Sequence, residues 1–161
     1  MVSLLFVCLG NICRSPTAEG IFRATCQHRG LLDQFRIDSA GTAGWHVGKP
    51  PDTRAIWAAR GRDVDLSMLR ARQVEAADFE NFDFILAMDK SNVEDLIAMR
   101  PQGFSAHLHR FLEFNQSANL LDVPDPYYGG DEGFELVLDL ITEASEGFMD
   151  HLIATSHIES N

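Results

Sequence analysis

An unbroken apolar run, Ser3 to Leu9 (SLLFVCL), stops at Gly10 and passes through a short loop to a helix start at Ser15-Pro16. A run without polar alternation reads as a buried strand, and a buried strand needs helices on its sheet to cover it. The pattern then repeats. FRIDSAGT predicts a second strand turning at Gly41, Phe82 to Asp89 (FDFILAMD) a third, and AHLHRFLEF a weaker fourth. Helical stretches alternate with them. One follows Ser15, its expected cap, with Pro16 in the first turn and Ala18, Phe22 and Thr25 on one face. DTRAIWAARG is stopped by Gly61, and SNVEDLIAMR is ended by Pro101. From Gly130 onward, Phe134, Val137, Leu138, Ile141, Ser145, Phe148 and Leu152 keep the three-and-four spacing of an amphipathic helix. Strands alternating with helices indicate right-handed βαβ units around a parallel sheet, which binds ligands beyond the carboxyl ends of its strands. Gly10, the Asp38–Gly41 turn and Met88-Asp89 all fall at such ends.

The length of 161 residues suits a single domain, 1–161, with a core of its own. No apolar run approaches the ~20 residues of a membrane span. The apolar start lacks a basic n-region and a cleavage site, so it reads as a core strand and not as a signal peptide. Three cysteines without framework spacing point to a reducing cytoplasm. The net charge of −11 is unevenly placed: residues 1–110 hold all thirteen Lys and Arg and thirteen acids, and residues 111–161 hold eleven acids alone. The second half therefore predicts a solvated acidic face on the last helix. No basic stripe is present for a nucleic-acid backbone. The six histidines share no metal-ligand spacing, so no metal or other cofactor is expected.

The loop Cys8-Leu9-Gly10-Asn11-Ile12-Cys13-Arg14 joins the first strand to the first helix. Such a loop turns backbone N–H groups inward beside the positive end of a helix, which makes an anion cradle. It lacks the lysine and second glycine of G-x-x-x-x-G-K-[ST], the pattern of nucleotide phosphates. It carries instead a thiol at its first position and a guanidinium at its last. A helix N-terminus and a guanidinium favour thiolate over thiol. The planar fork of Arg14 can also hold two phosphate oxygens. A thiolate beneath a tetrahedral anion, ringed by amides, is arranged for in-line attack on phosphorus. The leaving oxygen then needs a proton. Asp125 is the candidate donor, in VPDPYYGG, where Pro126 holds it extended and Gly129 and Gly130 let the loop move. Asp38, Asp89 and Asp122 are rivals by residue type, Asp38 reading as a strand-end acid and Asp89 as a helix cap.

VCLGNICRSP closely resembles the phosphate-binding loop of the low-molecular-weight protein tyrosine phosphatases, and DSAGT, ARQ, ILAMDKSN and DPYYGG match that family in the same order. The resemblance spans Leu4 to about Leu152. It implies an α/β three-layer sandwich, with a central four-stranded parallel sheet of order 2-1-3-4 and helices on both faces. It also implies a phosphoric monoester hydrolase that cleaves protein tyrosine phosphate and small aryl phosphates, without metal, through a cysteinyl-phosphate.

In that scheme Cys8 is the nucleophile, Arg14 binds the phosphate, and Asp125, the aspartate of DPYY, is first acid and then base. Leu9, Gly10, Asn11, Ile12 and Cys13 line the phosphate loop. Ser15 donates to the Cys8 sulfur, and Ser39 braces Asn11. Ile12, Trp45, Tyr127 and Tyr128 resemble the walls that sandwich an aromatic leaving group. The partners implied are phosphotyrosine-containing proteins, with phosphate and other oxyanions as inhibitors, and the chain is expected to act as a cytoplasmic monomer.

Leu69 departs from the family, which often has a histidine two residues before ARQ that also holds the asparagine. Arginine phosphatases of this fold typically have threonine where Ile12 stands, so Ile12 favours tyrosine phosphate. Arsenate reductases share the loop but relay oxidation through cysteines near the third strand, where this chain has none; Cys26 reads as a packing residue. Cys13 is a candidate resolving thiol for an oxidised Cys8. A phosphate-binding module without turnover is the alternative of a different class.

Overall fold

The computed structural model describes residues 1–160. Strands β1 (Val2–Cys8), β2 (Phe35–Gly41), β3 (Phe84–Ala87) and β4 (His107–Arg110) form one parallel sheet in the order β2-β1-β3-β4. This is the order the resemblance implies. β1 is flanked on both sides, and its register sets Cys8 beside Gly41 and Val7 beside Ala87. Side chains of a strand alternate between faces. Leu4, Phe6 and Cys8 therefore join Phe84 and Leu86 in one core, whereas Leu5 and Val7 join Ile85 and Ala87 in another. Both faces are covered, which is why the first strand has no polar alternation.

Five helices supply the cover: α1 (Arg14–His28), α2 (Thr53–Arg60), α3 (Asp78–Asn81), α4 (Lys90–Met99) and α5 (Asp131–Ala154). On the first face α1 and α5 bring Phe22 and Phe148 together at 5.8 Å, and Phe6 meets Phe111 edge-on at 5.0 Å. Such aromatic pairs add about 0.5–1.5 kcal/mol each beyond their buried area. On the second face Phe79 of α3 and Leu96 of α4 pack against Leu5, Val7 and Ile85. The apolar positions expected on the last helix are all buried on α5. Gly147 of that helix sits under the turn Phe111–Phe114, where a Cβ would lie 1.9 Å from the Phe114 carbonyl oxygen. Only glycine permits that approach.

The acidic face of α5 is not simply solvated: Arg29 pairs with Glu146 and Asp150, and Arg62 with Glu135 and Asp139. Among the described residues no helix is long and apolar enough to cross a membrane.

Three expectations change. The third strand is Phe84–Ala87 and not Phe82–Asp89, because Phe82 closes α3 and Asp89 caps α4. AHLHRFLEF is a strand only over His107–Arg110, after which Phe111–Phe114 coil into a 3-10 turn that buries Phe111 and Leu112. Ser15 does not cap the first helix, which begins at Arg14 with Cys13 at the cap position and no side-chain cap bond. Its hydroxyl is engaged elsewhere.

Candidate active site

Cys8 ends β1, and the loop after it is fastened to the turn that ends β2. Thr42 N–H donates to the Cys8 carbonyl and Ala43 N–H to the Leu9 carbonyl, each at 2.9 Å. A Cβ on Gly41 would lie 2.7 Å from the Leu9 carbonyl oxygen, so the two segments meet backbone to backbone. Asn11 turns the loop at a φ of 56°, a left-handed conformation that asparagine tolerates better than most residues. This turn aims its N–H at the Cys8 sulfur at 3.3 Å.

The Asn11 carboxamide organises the space behind the loop. Its Nδ2 donates to Ser15 Oγ at 2.8 Å and to Ser39 Oγ at 3.0 Å, and its Oδ1 accepts from Arg72 N–H at 3.0 Å. With both serine oxygens accepting from Asn11, each serine proton turns outward. Ser39 donates to Glu19 Oε1 at 2.7 Å. Ser15 has the Cys8 sulfur at 3.0 Å and only a long alternative, the Ala40 carbonyl at 3.5 Å, so its proton goes to sulfur. Burial pushes the Glu19 carboxyl above its ordinary value, against the Ser39 hydrogen bond that lowers it. Asn11 has these three partners without a histidine, its Oδ1 being held by the backbone of Arg72, within ARQ. Leu69 packs on the core instead.

Arg14 is 3% exposed. Its Nη1 donates to Asp89 Oδ2 at 2.5 Å and to the Val123 carbonyl at 3.0 Å, and its Nη2 lies 3.7 Å from Asp125 Oδ2. Burial alone would disfavour the cation. A Cys8 thiolate, the Asp89 hydrogen bond and the charges of Asp89 and Asp125 outweigh it and raise the guanidinium further. Asp89 divides its carboxylate, with Oδ1 accepting from Asn92 N–H at 2.8 Å to cap α4 and Oδ2 left for Arg14.

Asp125 stands at the start of the turn Pro126–Tyr128, where its Oδ1 accepts from Tyr127 N–H at 3.0 Å. Val123 N–H donates to the Met88 carbonyl at 2.8 Å and anchors this segment to the end of β3. Cys8, Arg14 and Asp125 open on one cavity of about 200 Å³, walled by Ile12, Trp45, His46, Tyr127 and Tyr128. Leu9, Gly10 and Cys13 complete its lining.

A model of the low molecular weight phosphotyrosine protein phosphatases matches residues 3–157. The chain belongs to that family. It is 44% identical to the low molecular weight protein-tyrosine-phosphatase YfkJ of Bacillus subtilis, over 91% of this chain and 92% of that one. A protein tyrosine phosphatase crystal structure from Entamoeba histolytica superposes with a TM-score of 0.93 at 36% identity, covering 97% of this chain and 99% of the other. The crystal structure of a Drosophila arginine phosphatase gives 0.84 at 31% identity, covering 94% and 97%.

In this low molecular weight phosphatase the structure gathers Cys8, Leu9, Gly10, Ile12, Cys13, Arg14, Asp125 and the three wall aromatics Trp45, Tyr127 and Tyr128 around the cavity. The side chains of Asn11, Ser15 and Ser39 lie behind the loop, outside the cavity's lining, and are joined there by the hydrogen bonds above. Trp45 and Tyr128 are 70% and 88% exposed, so they form a rim more than a slot.

Cys8 and Cys13 are both free thiols. Burial, followed by the negative charges of Asp52, Cys8 and Asp125, pushes the Cys13 thiol up to about 12. Two residues of the site were not expected. Asp89 was concealed by its Asp-x-x-Asn cap pattern, which accounts for only one of its oxygens. His46 folds over Gly10, where an added Cβ would come within 3.0 Å of its ring, and no motif marks it. Among the described residues no three His, Cys, Asp or Glu side chains converge as metal ligands.

Proposed function

We propose that this phosphatase hydrolyses protein tyrosine phosphate through a cysteinyl-phosphate intermediate, using its own side chains and no metal. The observation that carries the reading is the convergence of Cys8, Arg14 and Asp125 on a single cavity. The Cys8 thiolate forms the S–P bond as the P–O bond to the phenol breaks, and Asp125 gives its proton to the departing oxygen. Asp125, now a carboxylate, takes a proton from the water that attacks phosphorus, which releases phosphate and restores the thiolate. Nη1 of Arg14 is committed to Asp89 and Val123, so the edge formed by Nε and Nη2 remains for two phosphate oxygens. Ser15 and the Asn11 N–H stabilise negative charge on sulfur, both as attacking and as leaving group. The aromatic rim favours an aryl ester. The free thiols of Cys8, Cys13 and Cys26 fit a cytoplasmic setting.

Side-by-side assays on phosphotyrosine, phosphoserine and phosphoarginine peptides test the substrate class. Phosphotyrosine is expected to be cleaved fastest; a faster rate on phosphoarginine would move this chain toward the activity named for its Drosophila structural neighbour. Absence of p-nitrophenol release from its phosphate ester would leave only a binding module. Asp125→Asn is expected to lower kcat for phenyl phosphate by roughly 10²–10⁴, the usual contribution of a general acid.

Cys13 is proposed to resolve a Cys8 oxidised by peroxide: Cys8 sulfenic acid condenses with the Cys13 thiol, forming a disulfide and releasing water. Burial of the Cys13 thiol, which disfavours its thiolate, makes this step slow at neutral pH and faster in alkali. After peroxide treatment, thiol reductant should restore the parent enzyme but not Cys13→Ser. Equal recovery of the two would remove this role.

A further inference from the structure

Asp52 and Arg54, at the start of α2, connect the two halves of the site. The N–H of Asp52 donates to the Ile12 carbonyl at 2.8 Å, which ties this end of α2 to the phosphate loop. The Asp52 carboxylate caps the helix through Arg54 N–H at 2.9 Å. It also grips the Arg54 guanidinium in a fork, from Nε to Oδ1 and from Nη2 to Oδ2, each at 3.1 Å. The guanidinium reaches onward to the opposite segment, donating from Nη2 to the Tyr127 carbonyl at 3.0 Å and from Nη1 to the Gly129 carbonyl at 3.3 Å. It lies 4.8 Å from the centre of the Phe134 ring and 5.7 Å from that of Tyr127. The group thus meets one carboxylate, two carbonyls and two aromatic rings, although the side chain is 36% exposed.

The segment it grips is the one that carries Asp125. Tyr127 gives its N–H to the Asp125 carboxylate and its carbonyl to Arg54, and Gly129 offers Arg54 a second carbonyl. We propose that Arg54 is a positioning residue for the proton donor, bracing the Pro126–Tyr128 turn against the phosphate loop through Asp52. The distance between Asp125 and the phosphorus above Cys8 is then set by α2. The inference rests on the reading of Asp125 as general acid.

Arg54→Met is expected to lower kcat for phenyl phosphate about tenfold, less than the ~100-fold that a 1 Å misplacement can cost. The loss should be smaller for p-nitrophenyl phosphate, whose leaving oxygen needs a proton less, and KM should change little. In an Asp125→Asn background the same substitution should have no further effect, since there is no proton left to place. Asp52→Asn keeps the helix cap but weakens the fork, so it should show the same pattern in smaller degree even if Arg54→Met fails to fold. A kcat loss of equal size with and without Asp125, or a loss confined to KM, overturns the brace. An Asp125→Asn enzyme as fast as the parent on phenyl phosphate would reject the proton-donor assignment itself, and the brace with it.

Discussion

Cys8→Ser is expected to lower kcat for aryl phosphates by roughly 10⁴–10⁶, the scale on which a deleted nucleophile silences a hydrolase, while inorganic phosphate still binds. The donors around position 8 explain the asymmetry. Asn11 N–H and Ser15 Oγ stand 3.3 and 3.0 Å from sulfur and suit a large, soft anion. A serine hydroxyl is a far weaker nucleophile than cysteine sulfur, and its shorter C–O bond draws the oxygen away from phosphorus. Arg14 and the loop amides are untouched by the change, so the cradle survives. Steady-state kinetics with p-nitrophenyl phosphate, alongside calorimetric phosphate binding, measure the two properties separately. A Cys8→Ser protein with substantial turnover would sink the covalent mechanism.

Arg14→Lys should fail in the opposite way, losing phosphate affinity and turnover together. Arg14 can hold Asp89, Val123 and, in the proposed mechanism, the phosphate at once because its donors are fixed in a plane. An ammonium has three donors at a single point and cannot face all three partners. Loss of an oxyanion donor alone is expected to cost about 10²–10³ in kcat. The Val123 carbonyl, left without its donor in a buried setting, costs about 1–3 kcal/mol of stability. A lower Tm should therefore accompany the weaker phosphate binding, which Cys8→Ser leaves in place. Unchanged phosphate binding in Arg14→Lys would mean that the amides alone hold the anion.

The central place of β1 follows from an apolar run that local sequence expresses directly, whereas the full strand order came with the family resemblance. Leu4 to Val7 must be buried on both sides, and only a central parallel strand satisfies that. The loop chemistry was legible for a similar reason, since Cys8 and Arg14 lie within a few residues of each other. Features that depend on a residue serving two partners were hidden. Asp89 reads as a cap because one oxygen is a cap. Ser15 reads as a cap because it precedes a proline, yet Asn11 and Cys8 claim its hydroxyl. Phe111–Phe114 resembles a strand by composition, but its course is decided by the space that Gly147 leaves on a helix far along the chain. Arg54 looks like any helix-surface arginine until the turn it grips is brought across from residues 127–129.

The ion pairs of α5 have a consequence for how the molecule is made. The helix is balanced by Arg29 and Arg62, and the turn carrying Asp125 immediately precedes it. Arg14 and Val123, which touch in the finished site, are 109 positions apart. Synthesis proceeds from the N-terminus and contacts across such separations close late. Cys8 and its loop are made first, and the segment carrying Asp125, the proposed proton donor, joins them only through such long-range contacts. On the proposed roles, a chain in which only the thiol loop has formed holds its reactive group without the means to turn over an ester.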